Sequence, residues 1–247
     1  MDERLDFSQR ADLEEEMDGP CSYEDLRLCL RHLAVVNRLT RAHRPILRWL
    51  DGVAAELRRN SRHSGRGRPL RIVDVGCGYG DMLRRIERWA RSRGVAVELV
   101  GIDVNANSVR AARDASATGS AIQWVNGDVH CCAETAEADV FTLSGVTHHI
   151  AEPEIVRLIA RMEQASRAGW FIADLHRKPM SYRVFDIAMR GPWWHRFIRP
   201  DGLRSIRRSF LAEDWQRMCS AAGLNGGAVA IREHRPARLC VERSKAA

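Results

Sequence analysis

The sequence lacks any long apolar run, and no apolar segment lies near its beginning. No stretch approaches the roughly 20 apolar residues that a membrane-spanning helix requires. Residues 1–20, MDERLDFSQRADLEEEMDGP, are acidic and contain no hydrophobic segment of the kind that a secretory signal carries. We therefore expect neither a membrane span nor a secretory signal, and we expect residues 1–20 to be frayed.

Regularly spaced cysteines are also missing. The seven cysteines are an odd number, none belongs to a CxxC pair, and only Cys131 and Cys132 are neighbours. A disulfide framework or a zinc site would need paired, regular spacing. The pattern predicts reduced thiols, a cytoplasmic location and no bound metal.

The net charge of +7 is carried mostly by arginine and allows more than one interpretation. A basic balance is typical of proteins that bind nucleic acid or anionic membranes. Here the basic residues are dispersed and do not gather on one helix face, which is equally typical of an arginine-rich solvated surface. We expect no nucleic-acid partner.

The segment LRIVDVGCGYGD at residues 70–81 combines three patterns. A β-branched apolar run typical of a buried parallel strand is followed by three glycines on alternate positions, and then by helical spacing. A strand, a glycine turn and a helix allow backbone to approach a ligand closely. Asp81 stands where a dinucleotide-binding motif has its third glycine; its carboxylate would repel a pyrophosphate but could bind an ammonium or sulfonium group. Asp74 adds a second carboxylate to the same corner.

Strands and helices alternate over the rest of the chain. Strands are predicted at residues 72–75, 97–102, 122–125, 140–143, 170–173, 228–232 and 238–241. The helices between them include residues 108–115, 152–168 and 213–222. Such alternation is typical of an α/β fold with a doubly wound, mostly parallel sheet, here of seven strands.

Two segments lie outside this alternation. Residues 1–65 contain two predicted helices, end in a basic linker from Asn60, and are expected to form an N-terminal helical cap. Residues 66–247 form the α/β domain, in which the arginine-rich segment 177–210 is expected to be a lid over the substrate. Its aromatic residues are expected to form a substrate wall or the insertion's own core: Tyr182, Phe185, Trp193, Trp194 and Phe197.

Carboxylates follow the second and third predicted strands. Asp103 could accept both ribose hydroxyls of an adenosine, or it could cap the next helix. Asp128 by itself could be a turn residue. Because ligands of open α/β sheets bind at the carboxyl ends of the strands, the glycine turn and these two carboxylates together predict an adenosine-containing cofactor.

This combination resembles the class I S-adenosylmethionine-dependent methyltransferases, whose first motif is an acid followed by three alternate glycines. The resemblance covers most of the chain from the first strand onward, and it implies a Rossmann-like methyltransferase fold with S-adenosyl-L-methionine as the cofactor. In this family Asp128 and the amide of Val129 would contact the adenine. The cofactor-binding residues that it implies are Asp74, Gly76, Cys77, Gly78, Gly80, Asp81, Asp103, Val104, Asp128, Val129 and Ser144.

Histidines follow the fourth and fifth strands. His148 and His149 lie where the resemblance places the substrate, and one could be a general base while the other packs or orients a loop. Asp174 and His176 are alternate residues that would share a face of a continuing strand, so the carboxylate could fix the imidazole tautomer. We take Asp174–His176 as the preferred catalytic pair, with a structural link to the insertion as the alternative.

The resemblance extends to bacterial small-molecule methyltransferases associated with phenolic or polyketide products. It implies O-methylation of an aromatic, lipophilic small molecule, with a histidine as the base. The alternatives are a quinone- or lipid-type C-methyltransferase, an RNA or DNA methyltransferase, a nicotinamide-dependent oxidoreductase and a non-catalytic binder. An Asn/Asp-Pro-Pro-aromatic motif, which would favour the nucleic-acid alternative, is absent after the fourth strand.

A peripheral membrane contact is a further hypothesis. Trp193, Trp194 and Phe197 occur in the same stretch as several arginines, and such a surface could rest on anionic lipid.

Overall fold

The computed structural model describes residues 5–64, 68–225 and 227–245. Within them lie eight α-helices: α1 (Tyr23–Leu39), α2 (Arg44–Ser64), α3 (Asp81–Arg93), α4 (Ala106–Asp114), α5 (Glu152–Ala165), α6 (Pro179–Ala188), α7 (Ile198–Arg208) and α8 (Ala212–Ala221). The seven strands of the same ranges are β1 (Leu70–Val75), β2 (Val97–Asp103), β3 (Gln123–Asn126), β4 (Val140–Ser144), β5 (Gly169–Leu175), β6 (Ala230–His234) and β7 (Arg238–Ser244).

All seven strands form one sheet in the order β3-β2-β1-β4-β5-β7-β6. Strands β1 to β5 are parallel to one another, and β7 is antiparallel to both β5 and β6. The chain therefore reverses its direction of winding between β1 and β4, which is where open α/β sheets bind ligands. The predicted α/β class, with a doubly wound sheet of seven strands, is confirmed.

Alternate residues of each strand fill two separate cores, one on each face of the sheet. On β1, Val73 and Val75 belong to the core that contains α5 and α8, whereas Ile72 belongs to the core that contains α2 and α3. On β5, Trp170 and Phe171 divide between the two cores in the same way. Burial on both faces explains why these strands are continuously apolar, as parallel strands usually are.

The insertion at residues 177–210 forms α6 and α7, which pack against α1. Phe197 is buried there, and Phe185 and Trp194 pack against the same small cluster. These three aromatic residues therefore pack in a small core that the insertion shares with α1, as one of the two expectations had it, and a substrate wall stays a prediction. Trp193 is 70% exposed. The lid function of the insertion stays a prediction.

The N-terminal segment is ordered against the insertion, which corrects the expectation of a frayed end for residues 5–20; residues 1–4 lie outside the described ranges. The guanidinium of Arg10 donates to the backbone oxygens of Arg208 at 2.7 Å, His148 at 2.6 Å and Ile150 at 2.9 Å. Asp201 of α7 accepts from the backbone N–H groups of Glu16 and Met17. We call residues 5–20 the N-terminal strap.

Helix α2 extends to Ser64, so the linker predicted from Asn60 is helical over its first part. Neither proline nor glycine occurs between Asn60 and Ser64 to end the helix. The predicted domain boundary between residues 65 and 66 lies outside the described residues. None of the helices in the described ranges has the length and hydropathy needed to cross a membrane.

Candidate active site

The glycine turn between β1 and α3 has a backbone that side chains would not permit. Gly76, Gly78 and Gly80 have φ values of +66°, +50° and +72°. A Cβ on Gly76 would lie 2.4 Å from Cγ2 of Val146, and a Cβ on Gly80 would lie 2.2 Å from Cη2 of Trp124. The turn therefore needs glycine both for its backbone angles and for its close packing.

Asp103 joins the end of β2 to the glycine turn. Its Oδ2 accepts from the backbone N–H of Gly78 at 2.8 Å, and its Oδ1 accepts from that of Asn105 at 2.9 Å. Burial raises the pKa of Asp103, although these two hydrogen bonds oppose the effect. The cap of α4 is Asn105, so capping does not account for Asp103. Each carboxylate oxygen keeps a lone pair that can accept from a ribose hydroxyl.

The end of β3 lies beside that of β2 and presents a second carboxylate. Asp128 is exposed and accepts from the backbone N–H of His130 in its own loop at 2.9 Å. Val129 is buried, whereas Val104 after β2 is 77% exposed. Val104 and Asp128 thus lie exposed at neighbouring strand ends. The apolar side chain of Val104 is suited to contact the face of an adenine, and the carboxylate of Asp128 is suited to contact its edge.

Asp74 lies inside the fold. It is 2% exposed, and its Oδ1 accepts from the hydroxyl of Thr142 on β4 at 2.7 Å. Burial raises the pKa of Asp74 to about 7. The side chain of Cys77 is also buried, and Ser144 is half-buried at the end of β4. Asp74 thus links β1 to β4, and its contact with a cofactor stays a prediction.

Asp81 is the centre of a polar chain that the sequence analysis did not find. Its Oδ2 lies 2.7 Å from Nε2 of His43 and accepts from Nδ2 of Asn37 at 3.3 Å. Burial would raise the pKa of Asp81, but His43 and Asn37 outweigh burial and the pKa is lowered. The Oδ1 of Asn37 accepts from Nη2 of Arg238 at 2.9 Å. Asn37 and Arg238 are 201 positions apart, so no local spacing could have linked them.

Asp174 binds His148, and the structure thereby corrects the predicted pairing with His176. Its Oδ1 lies 2.7 Å from Nδ1 of His148, and its Oδ2 accepts from the backbone N–H of His148 and from the hydroxyl of Thr147. Burial alone would raise the pKa of Asp174, but these groups hold it well below its usual range. The pairing differs because the short 3-10 helix Thr147–His149 after β4 folds onto the end of β5.

His176 faces away from Asp174, toward the terminal hairpin. Its Nδ1 lies 3.7 Å from Oε1 of Glu233, and its backbone N–H donates to Ala237. Strand β5 ends at Leu175, so the alternation on which the predicted pair rests does not continue through His176. Burial and then the charge of Lys178 lower the pKa of His176.

His149 faces the N-terminal strap. Its Nδ1 lies 2.9 Å from Oδ2 of Asp18, and its Nε2 lies 3.7 Å from Oε2 of Glu15. The Nε2 of His148 lies 3.8 Å from the other oxygen of Glu15. Burial would lower the pKa of His149, but Asp18 and Glu15 outweigh it and raise the pKa. His148 and His149 therefore both face the buried carboxylate of Glu15. Side chains of adjacent residues usually point in different directions, so the sequence did not predict this shared partner.

Glu15, His148 and His149 offer ligand atoms that lie within 4.8 Å of one another, close enough to hold a metal ion. The Oε1 of Glu15 already accepts from the hydroxyl of Ser205 at 2.8 Å and from Nη1 of Arg208 at 3.4 Å. A guanidinium at the same carboxylate opposes the binding of a cation. The absence of a bound metal stays a prediction.

The sheet order, the glycine turn after β1 and the carboxylates after β2 and β3 define the class I S-adenosylmethionine-dependent methyltransferases. A family model described as "Methyltransferase domain" matches residues 72–169. These residues therefore form a methyltransferase domain of this class. The predicted class and its cofactor, S-adenosylmethionine, are confirmed.

Curated relatives match parts of the chain. The chain is 32% identical over 119 residues to the indolepyruvate C-methyltransferase of Streptomyces griseus, a match that covers 46% of this chain and 33% of that protein. It is 28% identical over 168 residues to the ubiquinone biosynthesis O-methyltransferase of Ruegeria sp. (strain TM1040), which covers 62% and 64%. The chain thus spans less than two thirds of the length of both relatives.

Solved structures of methyltransferases share the fold. Human N-acetylserotonin methyltransferase, solved in complex with S-adenosylmethionine, superposes with a TM-score of 0.61 at 15% identity, covering 92% of this chain and 57% of that chain. The plantazolicin methyltransferase gives a TM-score of 0.56 at 13% identity, covering 90% and 98%. At such low identity these similarities establish the fold alone.

Proposed function

We propose that this protein transfers a methyl group from S-adenosylmethionine to a small molecule, at the hydroxyl of a phenol. The observation that carries this proposal is the pair His148–Asp174 at the carboxyl ends of β4 and β5, the two strands next to β1 and its glycine turn. A buried carboxylate bound to Nδ1 of an imidazole leaves Nε2 to accept a proton. Such a base is useful to an acceptor whose pKa, near 10 for a phenol, exceeds the ambient pH.

The residues of the site fit the cofactor of this class. At Gly78 an added Cβ would have only Cδ2 of Leu30 within 4.0 Å, so the turn is open to a close approach of the cofactor at this glycine. Asp103 keeps acceptor capacity for ribose hydroxyls, and Asp128 and Val104 are exposed at the neighbouring strand ends. The proposed cofactor-binding set is the one predicted from the sequence, with Asp74 and Cys77 contributing through the backbone because their side chains are buried.

In the proposed mechanism the protein aligns the two reactants and removes one proton. S-adenosylmethionine, when bound, supplies a methyl group on a sulfonium, which is already an excellent leaving group. Nε2 of His148 accepts the proton of the acceptor hydroxyl, while Asp174 holds the ring orientation and stabilises the imidazolium. The N-terminal strap covers His148 and His149 and excludes water from them, and alignment in a dry site supplies much of the rate.

A second candidate is transfer to carbon. It is favoured by the similarity to an enzyme named as a C-methyltransferase, whereas the other relatives are named as O-methyltransferases. The same imidazole could remove a proton from an acidic carbon next to a carbonyl. Analysis of the product distinguishes the two, because an O-methyl ether and a C-methyl ketone differ in their NMR spectra.

We also propose that residues 1–65 form a cap over an α/β domain at 66–247, with 177–210 as its lid, and that the protein acts in the cytoplasm. Deleting residues 1–39, which spares α2 and its share of the sheet core, would test the first idea: the remaining protein should still bind the cofactor but lose methyl transfer to acceptors.

The function is tested first by calorimetric titration with S-adenosylhomocysteine, followed by a product-mass screen of phenols, quinols and keto acids with labelled cofactor. We expect saturable cofactor binding and a labelled product from at least one acceptor class. Absence of binding to well-folded protein would overturn the proposed function. Binding without turnover on any acceptor would favour a non-catalytic role.

A further inference from the structure

Arg238, the first residue of β7, has a guanidinium without an anionic partner. One hydrogen bond, from Nη2 to Oδ1 of Asn37, is its only one in the described ranges, and no carboxylate oxygen there lies within 4.0 Å of its nitrogens. A guanidinium has five N–H donors in a planar fork, so most of its capacity is unused. An unpaired, partly buried cation is costly, which suggests that a ligand completes its pairing.

The position of Arg238 connects it to the methyl-transfer site. A Cβ placed on Gly145, just after β4, would lie 3.7 Å from its Nη1. Arg238 pairs with Leu175 on β5, the residue next to Asp174. The guanidinium therefore lies between Gly145 after β4 and Asn37 of α1, within electrostatic reach of Asp174.

The aspartates near Arg238 leave its guanidinium unpaired. Asp174 and Asp81 are the carboxylates whose charges act on it, and each of them is already bound to a histidine. The side-chain amide of Asn37 donates to the carboxylate of Asp81 and accepts from the guanidinium of Arg238. A negative and a positive group therefore lie on either side of this amide. A planar fork matches a carboxylate with two parallel hydrogen bonds.

We propose that Arg238 binds a carboxylate of a ligand in the methyl-transfer site. This inference rests on the proposed function. Two ligands can supply such a group. The amino-acid end of S-adenosylmethionine carries a carboxylate beside an ammonium that Asp81 would accept. A carboxylated acceptor, such as a hydroxybenzoate or a 2-keto acid, would be held with its nucleophile toward His148.

The test compares ligand binding to the full-length protein and to Arg238→Met, Arg238→Gln and Arg238→Lys. Arg232→Met is the matched control, because Arg232 lies on the same hairpin but is exposed and paired with Glu242. Calorimetry uses S-adenosylhomocysteine and its decarboxylated analogue, and then 4-hydroxybenzoate and its methyl ester added to the S-adenosylhomocysteine complex. Circular dichroism checks that each variant is folded.

If the carboxylate is the cofactor's, Arg238→Met and Arg238→Gln weaken S-adenosylhomocysteine binding about 10- to 100-fold, and binding of the decarboxylated analogue is unchanged. If the carboxylate is the acceptor's, S-adenosylhomocysteine binding is unchanged and 4-hydroxybenzoate binding weakens by a similar factor, without a change for its ester. In either case Arg238→Lys retains part of the affinity, and Arg232→Met behaves as the wild type.

Equal binding of both carboxylates by the wild type and the Arg238 variants would overturn the proposal while leaving the proposed function intact. Equal weakening of the carboxylates and of their uncharged analogues would also overturn it, because it would assign Arg238 a structural role. A wild-type protein that binds no S-adenosylhomocysteine would contradict the proposed function itself.

Discussion

His148 and His176 differ in whether a carboxylate is hydrogen-bonded to the imidazole, and this property decides which of them can act as a base. His148 lies shortly after the end of β4 and His176 directly after the end of β5, and both are buried. Of these two, only His148 has a carboxylate hydrogen-bonded to a ring nitrogen. Oδ1 of Asp174 lies 2.7 Å from its Nδ1 and fixes the orientation of the ring. The ring of His176 has Glu233 at 3.7 Å, beyond hydrogen-bond distance.

The first prediction concerns these two histidines. We expect His148→Gln to lower kcat/KM for an O-methyl acceptor by about 10²- to 10⁴-fold, because the general base is lost. His176→Gln should change it by less than about threefold. Single-turnover transfer measured with labelled cofactor gives both values. Equal rates for the wild type and His148→Gln would mean that the protein acts by alignment alone.

The second prediction concerns Asp74, whose pKa in the folded protein is raised to about 7 by burial. An aspartate in the unfolded chain has a pKa near 4. The folded state therefore binds more protons between these values, and stability falls as the pH rises through that window. Asp74→Asn removes this titration and still accepts from Thr142. We expect the variant to gain about 2–3 kcal/mol relative to the wild type between pH 5 and pH 7.

Urea unfolding at a series of pH values measures that difference. The control is Asp114→Asn, since Asp114 is exposed on α4. A stability difference between the wild type and Asp74→Asn that does not depend on pH would contradict the raised pKa.

At the scale of the elements, the strap shows what sequence patterns could not predict. The sheet was predictable, because strands buried on both faces carry short apolar runs, and glycine or aspartate marks their ends, as Gly76 does after β1 and Asp103 does in β2. The N-cap of α1 by Ser22 was predictable as well, and its side chain accepts from the N–H of Asp25. The strap is held by single charged contacts, such as those of Arg10. Its sequence therefore has no hydrophobic periodicity from which its position could be predicted.

The partners of the candidate catalytic residues were unpredictable for the same physical reason. Asp174 and His148 were both identified from their positions after strands, but their pairing depends on how one connection folds across a neighbouring strand. Glu15, Asn37 and Arg238 come from distant parts of the chain and meet only in three dimensions. Local spacing cannot encode such contacts, whereas it does encode the strands.

The third prediction tests the strap. Arg10→Met removes charged donors from three backbone oxygens, and we expect it to lower the free energy of unfolding by about 1–3 kcal/mol. Proteolysis within residues 5–20 should become faster, and the KM for the acceptor should rise. Arg183→Met is the control, because Arg183 is exposed on α6. Unchanged proteolysis of the Arg10 variant would show that other contacts hold the strap.

At the scale of the whole molecule, one surface has more exposed apolar side chains than its surroundings. Met180, Val184, Ile187 and Trp193 are between 55% and 70% exposed along α6 and the turn after it. The arginines nearby are paired, Arg190 and Arg199 with Asp186. Membrane contact, which the sequence suggested through several aromatic residues, would therefore depend mainly on Trp193 and α6.

The fourth prediction tests this contact. If the surface rests on lipid, the protein should co-sediment with anionic vesicles, and the double variant Ile187→Ala, Trp193→Ala should reduce the bound fraction. Leu39→Ala is the control, because Leu39 is 66% exposed at the end of α1. Equal sedimentation of the double variant and the wild type would contradict the hypothesis.

The strap also bears on the order in which a ribosome makes the molecule. The strap is made nearly two hundred residues before Asp201 and Arg207, which accept from its backbone N–H groups, and before Arg208, whose carbonyl accepts from the side chain of Arg10. The strands β1 to β5 can pair before that point, because all five precede residue 201 in the chain. A nascent chain would therefore carry five paired strands, with β6 and β7 still to be made, while the strap waits for the anchors that hold it over the histidines.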